Sequence, residues 1–123
     1  MEKRILVVDD DHDVVEIVES WLKTSGYEVY TAYSGKEGLN KCKALKPDAV
    51  ILDIVMPDMD GSSVAEEIKE NPNTCEIPII FLTGAVKSSE VPESHIVGGQ
   101  YFLAKPFKGE DLLKMLRQVL LEY

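Results

Sequence analysis

Five side chains suited to metal and phosphate chemistry each close or follow an apolar run. Asp9 and Asp10 come behind "ILVV", Asp53 lies within "AVILDIVM", Thr83 follows "IIFL" and Lys105 follows "YFLA". Three carboxylates supply hard oxygen donors at a density that suits a divalent cation such as Mg²⁺. A carboxylate nucleophile beside such a cation and an ammonium group is a minimal set for phosphoryl transfer, where positive charge must neutralise the equatorial oxygens. The opening stretch "KRILVVDDDHD" sharpens the point, because crowded like charges cost free energy unless a cation or hydrogen bonds offset them. Asp53 sits inside a strand-like apolar run, where a carboxylate has no structural role, and that placement favours function.

These residues need elements to bring them together. Apolar runs of strand length recur at Ile5–Val8, Val29–Ala32, Ala49–Ile54, Ile77–Leu82 and Tyr101–Ala104, separated by segments with helical spacing. The alternation predicts a five-stranded parallel sheet with helices on both faces. Val14, Val15, Ile17, Val18, Trp21 and Leu22 form one apolar helical face, and Leu112, Leu113, Met115, Leu116, Val119 and Leu120 another. Helices are also expected over Gly35–Leu45 and Ser62–Glu70, stopped by "KPD" and "NPN". The fourth helical segment, "VKSSEVPESHIV", carries Pro92 in its middle and meets Gly98 and Gly99, so it is expected to be short, about two turns from near Pro92. In an open parallel sheet the functional crevice lies beyond the carboxyl ends of the strands, where all five side chains fall.

With 123 residues the chain is expected to form one domain spanning 1–123. It carries 22 acidic against 13 basic residues, a formal charge of -9, which argues against direct binding to nucleic acid or an anionic membrane. Cys42 and Cys75 have neither the number of a disulfide framework nor zinc-site spacing, and read as free thiols. The longest apolar stretches are far short of a membrane span, and the first residues run into a charged strand, so a cytoplasmic protein is expected.

The motifs "ILVVDDD", "ILDIVMPDMDG", "FLTG" and "YFLAKPF", in this order, resemble the receiver domains of two-component response regulators over essentially the whole chain. The resemblance implies a flavodoxin-like fold with strand order 2-1-3-4-5 and five helices, the fourth short or irregular. It implies that Asp53 accepts a phosphoryl group from a sensor histidine kinase or phosphotransfer protein. Asp10 is then the direct Mg²⁺ ligand, Asp9 its acidic neighbour acting through water, and Val55 the donor of a backbone carbonyl. Thr83 corresponds to the hydroxyl that bonds the phosphoryl oxygens, and Lys105 to the ammonium that pairs with them, before a typically cis Pro106. Phe102, three residues before the lysine, takes the switch role in preference to Tyr101. Output passes to a partner or output domain through the face of the fourth helix, fifth strand and fifth helix. On this reading the chain is a switch that catalyses its own modification, not an enzyme with an external substrate. The side chains two residues after the acceptor and after the threonine, Val55 and Ala85, cannot orient a water, which implies a long-lived phosphoryl group.

Plainer roles compete for some of these residues. Asp11 reads as a helix cap, His12 and His95 as surface residues and Gly61 as the turn into the third helix. Two other functions compete with this one. A phosphatase or phosphotransferase with an aspartyl intermediate usually needs an acid or base two residues after the nucleophile, where Val55 stands. An interaction module without phosphate chemistry leaves the acidic pair, Thr83 and Lys105 unexplained.

Overall fold

The computed structural model describes residues 2–84, 95–97 and 100–121. Its strands are β1 (Arg4–Val8), β2 (Glu28–Ala32), β3 (Ala49–Asp53), β4 (Ile79–Thr83), β5 (His95–Val97) and β6 (Gln100–Ala104). The helices described are α1 (His12–Thr24), α2 (Gly35–Leu45), α3 (Gly61–Glu70) and α4 (Gly109–Val119). The sheet order is β2-β1-β3-β4-β6-β5. The first five strands in this row are parallel, which is the expected 2-1-3-4-5 arrangement, with β6 as its fifth member.

The sequence expectation needs two corrections. β5 is a sixth strand, antiparallel to β6, with Val97 opposite Gln100. Residues 95–97, expected at the end of the short fourth helix, are strand. Glycines at 98 and 99 stop a helix, but in sequence a Gly-Gly pair between β-branched residues and an apolar run suits a two-residue hairpin connection just as well. Among the described residues there are therefore four helices in place of five, and the remainder of the expected fourth helix, 86–94, lies outside them. The fourth parallel strand also starts at Ile79 and not at Ile77, because Ile77 N–H donates to Thr74 O in a turn and Pro78 has no N–H to give the sheet.

Each face of the sheet has its own core. Ile5, Val7, Ile51, Ile80 and Leu82 face Val15, Val18 and Leu22 of α1 and Leu112, Met115 and Leu116 of α4. Leu6, Val8, Val50, Leu52 and Phe81 face Leu39 and Cys42 of α2 and Val64, Ala65 and Ile68 of α3. Strands buried on both faces explain why their sequences are continuous apolar runs without alternation. α2 lies close to the sheet because it carries Gly38, where a Cβ would stand 2.7 Å from the Val8 side chain. α1 and α2 begin with side-chain caps, Asp11 accepting from Asp13 N and Val14 N and Ser34 accepting from Glu37 N.

Candidate functional site: an acidic cluster at the strand ends

β1 and β3 are adjacent and in register, with Val8 opposite Leu52, so Asp9 and Asp53 emerge side by side at their carboxyl ends. Thr83 ends β4 opposite Ala104 of β6, and its carbonyl accepts Lys105 N–H at 2.8 Å. The sheet register alone thus gathers Asp9, Asp53, Thr83 and Lys105 along one edge. Asp10 joins them, since carboxylate oxygens of Asp9, Asp10 and Asp53 lie within 4.8 Å of one another.

Three of these polar residues are buried: Asp9 is fully buried, Asp53 is 5% exposed and Thr83 2%. Lys105 Nζ lies 2.8 Å from Asp9 Oδ2 and 3.5 Å from Asp53 Oδ1, so one ammonium faces two buried carboxylates. Asp9 Oδ1 accepts Asp11 N–H at 3.0 Å, which fixes the carboxylate at the start of α1. Its Oδ2 has the lysine as an ion-pair neighbour, and Thr83 Oγ1 has no hydrogen-bond partner among the described residues. Among the described residues these are the two buried side-chain polar atoms without a hydrogen bond. The Lys105 ammonium at 2.8 Å offsets the cost for Asp9 Oδ2, whereas a buried hydroxyl left unpaired, as at Thr83, costs about 1–3 kcal/mol, which marks this strand edge as built for a ligand.

Burial pushes the Asp53 carboxyl up to about 6, and the charges of Asp9 and, more weakly, Asp10 add to the rise, while Lys105 opposes it. Burial alone would draw the Lys105 ammonium down, but Asp9 and then Asp53 outweigh it and hold it above the ordinary lysine range. More carboxylate than one ammonium can balance is the electrostatic condition under which a divalent cation is welcome. The donor set of three carboxylates fits Mg²⁺.

The remaining sequence expectations find definite places. Asp11 is the N-cap of α1, as read, and His12 is exposed and stacked on Tyr33 with centroids 4.0 Å apart, outside the acidic cluster. Val55 is in the loop leaving β3 with its side chain exposed. The Lys105–Pro106 peptide is cis. Phe102 is half-buried and stacks on Phe81 at 5.2 Å, on the α2–α3 side of the sheet, while Tyr101 packs toward the α1–α4 side. Gly61 is required for a different reason from the turn assigned to it: a Cβ there would stand 2.1 Å from Asp53 O, so the start of α3 presses on the backbone of the acidic site. Ala85 lies outside the described residues.

The profile of the response regulator receiver domain matches residues 5–117. The chain belongs to that family. Among curated relatives, Response regulator MprA of Mycolicibacterium vanbaalenii is 38% identical over 120 residues, covering 98% of this chain and 51% of that protein. This receiver domain thus spans about half the length of the curated relatives it matches. A putative response regulator from Chloroflexus aurantiacus superposes with a TM-score of 0.86 at 34% identity, covering 99% of this chain and 100% of that one. The receiver domain of the sensor histidine kinase PA1611 from Pseudomonas aeruginosa has a TM-score of 0.85 at 28% identity over 98% of each chain, and holds a magnesium ion in its active-site cleft. Among the described residues of this receiver domain, no helix is long and apolar enough to cross a membrane.

Proposed function

We propose that residues 1–123 form one receiver domain that takes a phosphoryl group from a phosphohistidine of a sensor histidine kinase or phosphotransfer protein onto Asp53 and thereby changes its affinity for an output partner. The observation that carries this reading is a buried Thr83 hydroxyl with no hydrogen-bond partner among the described residues, at the same strand edge as three clustered carboxylates and a single ammonium. Asp10, Asp9, Asp53 and the backbone carbonyl of Val55 would hold Mg²⁺. Bound there, Mg²⁺ supplies positive charge for the phosphoryl oxygens.

The chain's own residues do the rest. An Asp53 oxygen attacks phosphorus in line; the donor's N–P bond breaks as the O–P bond forms, and the imidazole departs, protonated by solvent. Lys105, between Asp9 and Asp53, pairs with a phosphoryl oxygen, and Thr83 Oγ1 donates its free hydrogen to another. Drawing Thr83 toward the new group alters the end of β4, whose neighbour in the ladder is β6, and Phe102 on β6 stacks against Phe81 of β4. That pair is the route to an output surface that includes β6 and α4. The domain is a phosphoacceptor that catalyses its own phosphorylation and dephosphorylation and acts in the cytoplasm.

Intact-mass measurement of the chain with Mg²⁺ and acetyl phosphate tests the proposal. A stable single phosphoryl adduct that requires Mg²⁺ supports the switch. Continuous release of phosphate without an adduct would establish a phosphatase, and no change of mass would leave an interaction module.

A further inference from the structure

The loop between β3 and α3, residues 54–60, carries the carbonyl assigned to the metal yet has no regular structure of its own. At its base, Ile54 N–H donates to Leu82 O at 3.1 Å and Gly61 N–H donates to Ile54 O at 2.7 Å. At its far side is an exposed aspartate that neither the motif assignments nor the acidic cluster uses. Asp58 Oδ1 accepts Gly35 N–H at 3.0 Å and its Oδ2 accepts Lys36 N–H at 3.1 Å, both from the first turn of α2. These two backbone donors hold the carboxyl below the ordinary aspartate range.

An anchor positions a loop only if the anchor is itself fixed. α2 is fixed in three ways: Ser34 Oγ accepts Glu37 N–H, Glu37 Oε1 accepts Tyr33 N–H at 2.9 Å, and Gly38 lies directly against Val8, the residue before Asp9. The loop also touches the helix closely, since a Cβ at Gly35 would stand 2.9 Å from both Met59 Cβ and Met59 O. A continuous chain of contacts therefore runs from the strand that presents Asp9 and Asp10, through α2, to Asp58 and the loop that holds Val55.

We infer that Asp58 is a positioning residue that clamps the metal-binding loop to the amino end of α2 and so sets Mg²⁺ affinity. The inference rests on the metal reading of the site proposed above. Losing outer partners of a metal site typically costs 10–100-fold in affinity, and Asp58 acts one step further out through backbone, so Asp58→Ala is expected to weaken Mg²⁺ binding about three- to tenfold.

Titration calorimetry of the full chain with Mg²⁺ alone, on wild type, Asp58→Ala, Asp58→Asn and Ser34→Ala, separates the possibilities. Ser34→Ala removes a cap from the same turn of α2 but no contact to the loop, and is expected to stay within about twofold of wild type. Asp58→Asn keeps one carbonyl acceptor and should fall between wild type and Asp58→Ala, and it carries the test should the alanine variant fail to fold. In phosphorylation by acetyl phosphate, the Asp58 variants should need more Mg²⁺ for half-maximal rate yet reach the wild-type rate at saturation, because Asp53, Thr83 and Lys105 are untouched. Wild-type affinity in Asp58→Ala, or equal weakening in Ser34→Ala, overturns the inference while leaving the metal site standing. A wild-type chain that binds no Mg²⁺ overturns both.

Discussion

Replacing Asp53 by asparagine should stabilise the metal-free protein at neutral pH and do so less in acid. The folded chain holds this carboxyl at about 6 against a reference of 3.8, chiefly through burial and secondly through the Asp9 charge. A raised acid binds its proton more tightly when folded, so its contribution is fully present below about pH 4 and is lost as pH rises through about 6. The rise is about two units, and at about 1.36 kcal/mol per unit the ionised carboxylate costs on the order of 2–3 kcal/mol at pH 7.5. Asparagine has nearly the same volume and no charge, and avoids that cost. Urea denaturation with chelator present should therefore show a gain of about 2–3 kcal/mol for Asp53→Asn at pH 7.5, falling to about 1 kcal/mol at pH 4.5. Added Mg²⁺ should stabilise the wild type more than the variant and narrow the gap at pH 7.5. A gain of equal size at both pH values, or a variant less stable than wild type at pH 7.5, would refute the electrostatic reasoning.

Asp10→Asn should abolish the stabilisation of the chain by Mg²⁺ while leaving metal-free stability equal or higher, and thermal melts with and without Mg²⁺ decide it; a marked loss of metal-free stability would contradict it. The adduct on the wild-type chain should decay more slowly than on Val55→Asn combined with Ala85→Glu, followed by intact mass after donor removal, because neither native side chain can orient water. Gly61→Ala should destabilise the fold by about 1–3 kcal/mol or more in urea denaturation, since the added Cβ falls 2.1 Å from Asp53 O and backbone has to move; an unchanged midpoint would show that α3 shifts freely.

Much of the site was legible because parallel strands buried on both faces leave a simple mark, a continuous apolar run whose next residue lies at the functional edge. Asp9, Asp53, Thr83 and Lys105 each follow or close such a run, and the register brings them together without help from loops. What escaped the sequence reading depends on tertiary approach or on ambiguous punctuation. A Gly-Gly pair ends a helix or turns a hairpin equally well in sequence, so the antiparallel pairing of β5 with β6 was not legible. Gly61 reads as a turn residue, whereas its missing Cβ answers to Asp53 O from the preceding strand. Asp58 looks like one more acid in "MPDMDG"; the Pro-Asp pair signals only a turn with a ready backbone acceptor, and nothing local says that the donors belong to α2, 23 residues earlier in the chain.

Whether Asp53 itself receives the phosphoryl group can be read directly. Treating the phosphorylated chain with borohydride reduces an acyl phosphate to the alcohol, so an aspartyl phosphate becomes homoserine, and peptide mass mapping locates it. Homoserine is expected at position 53, dependent on Mg²⁺ during phosphorylation and absent without donor. An adduct that resists reduction, or homoserine at any other aspartate of the cluster, would contradict it.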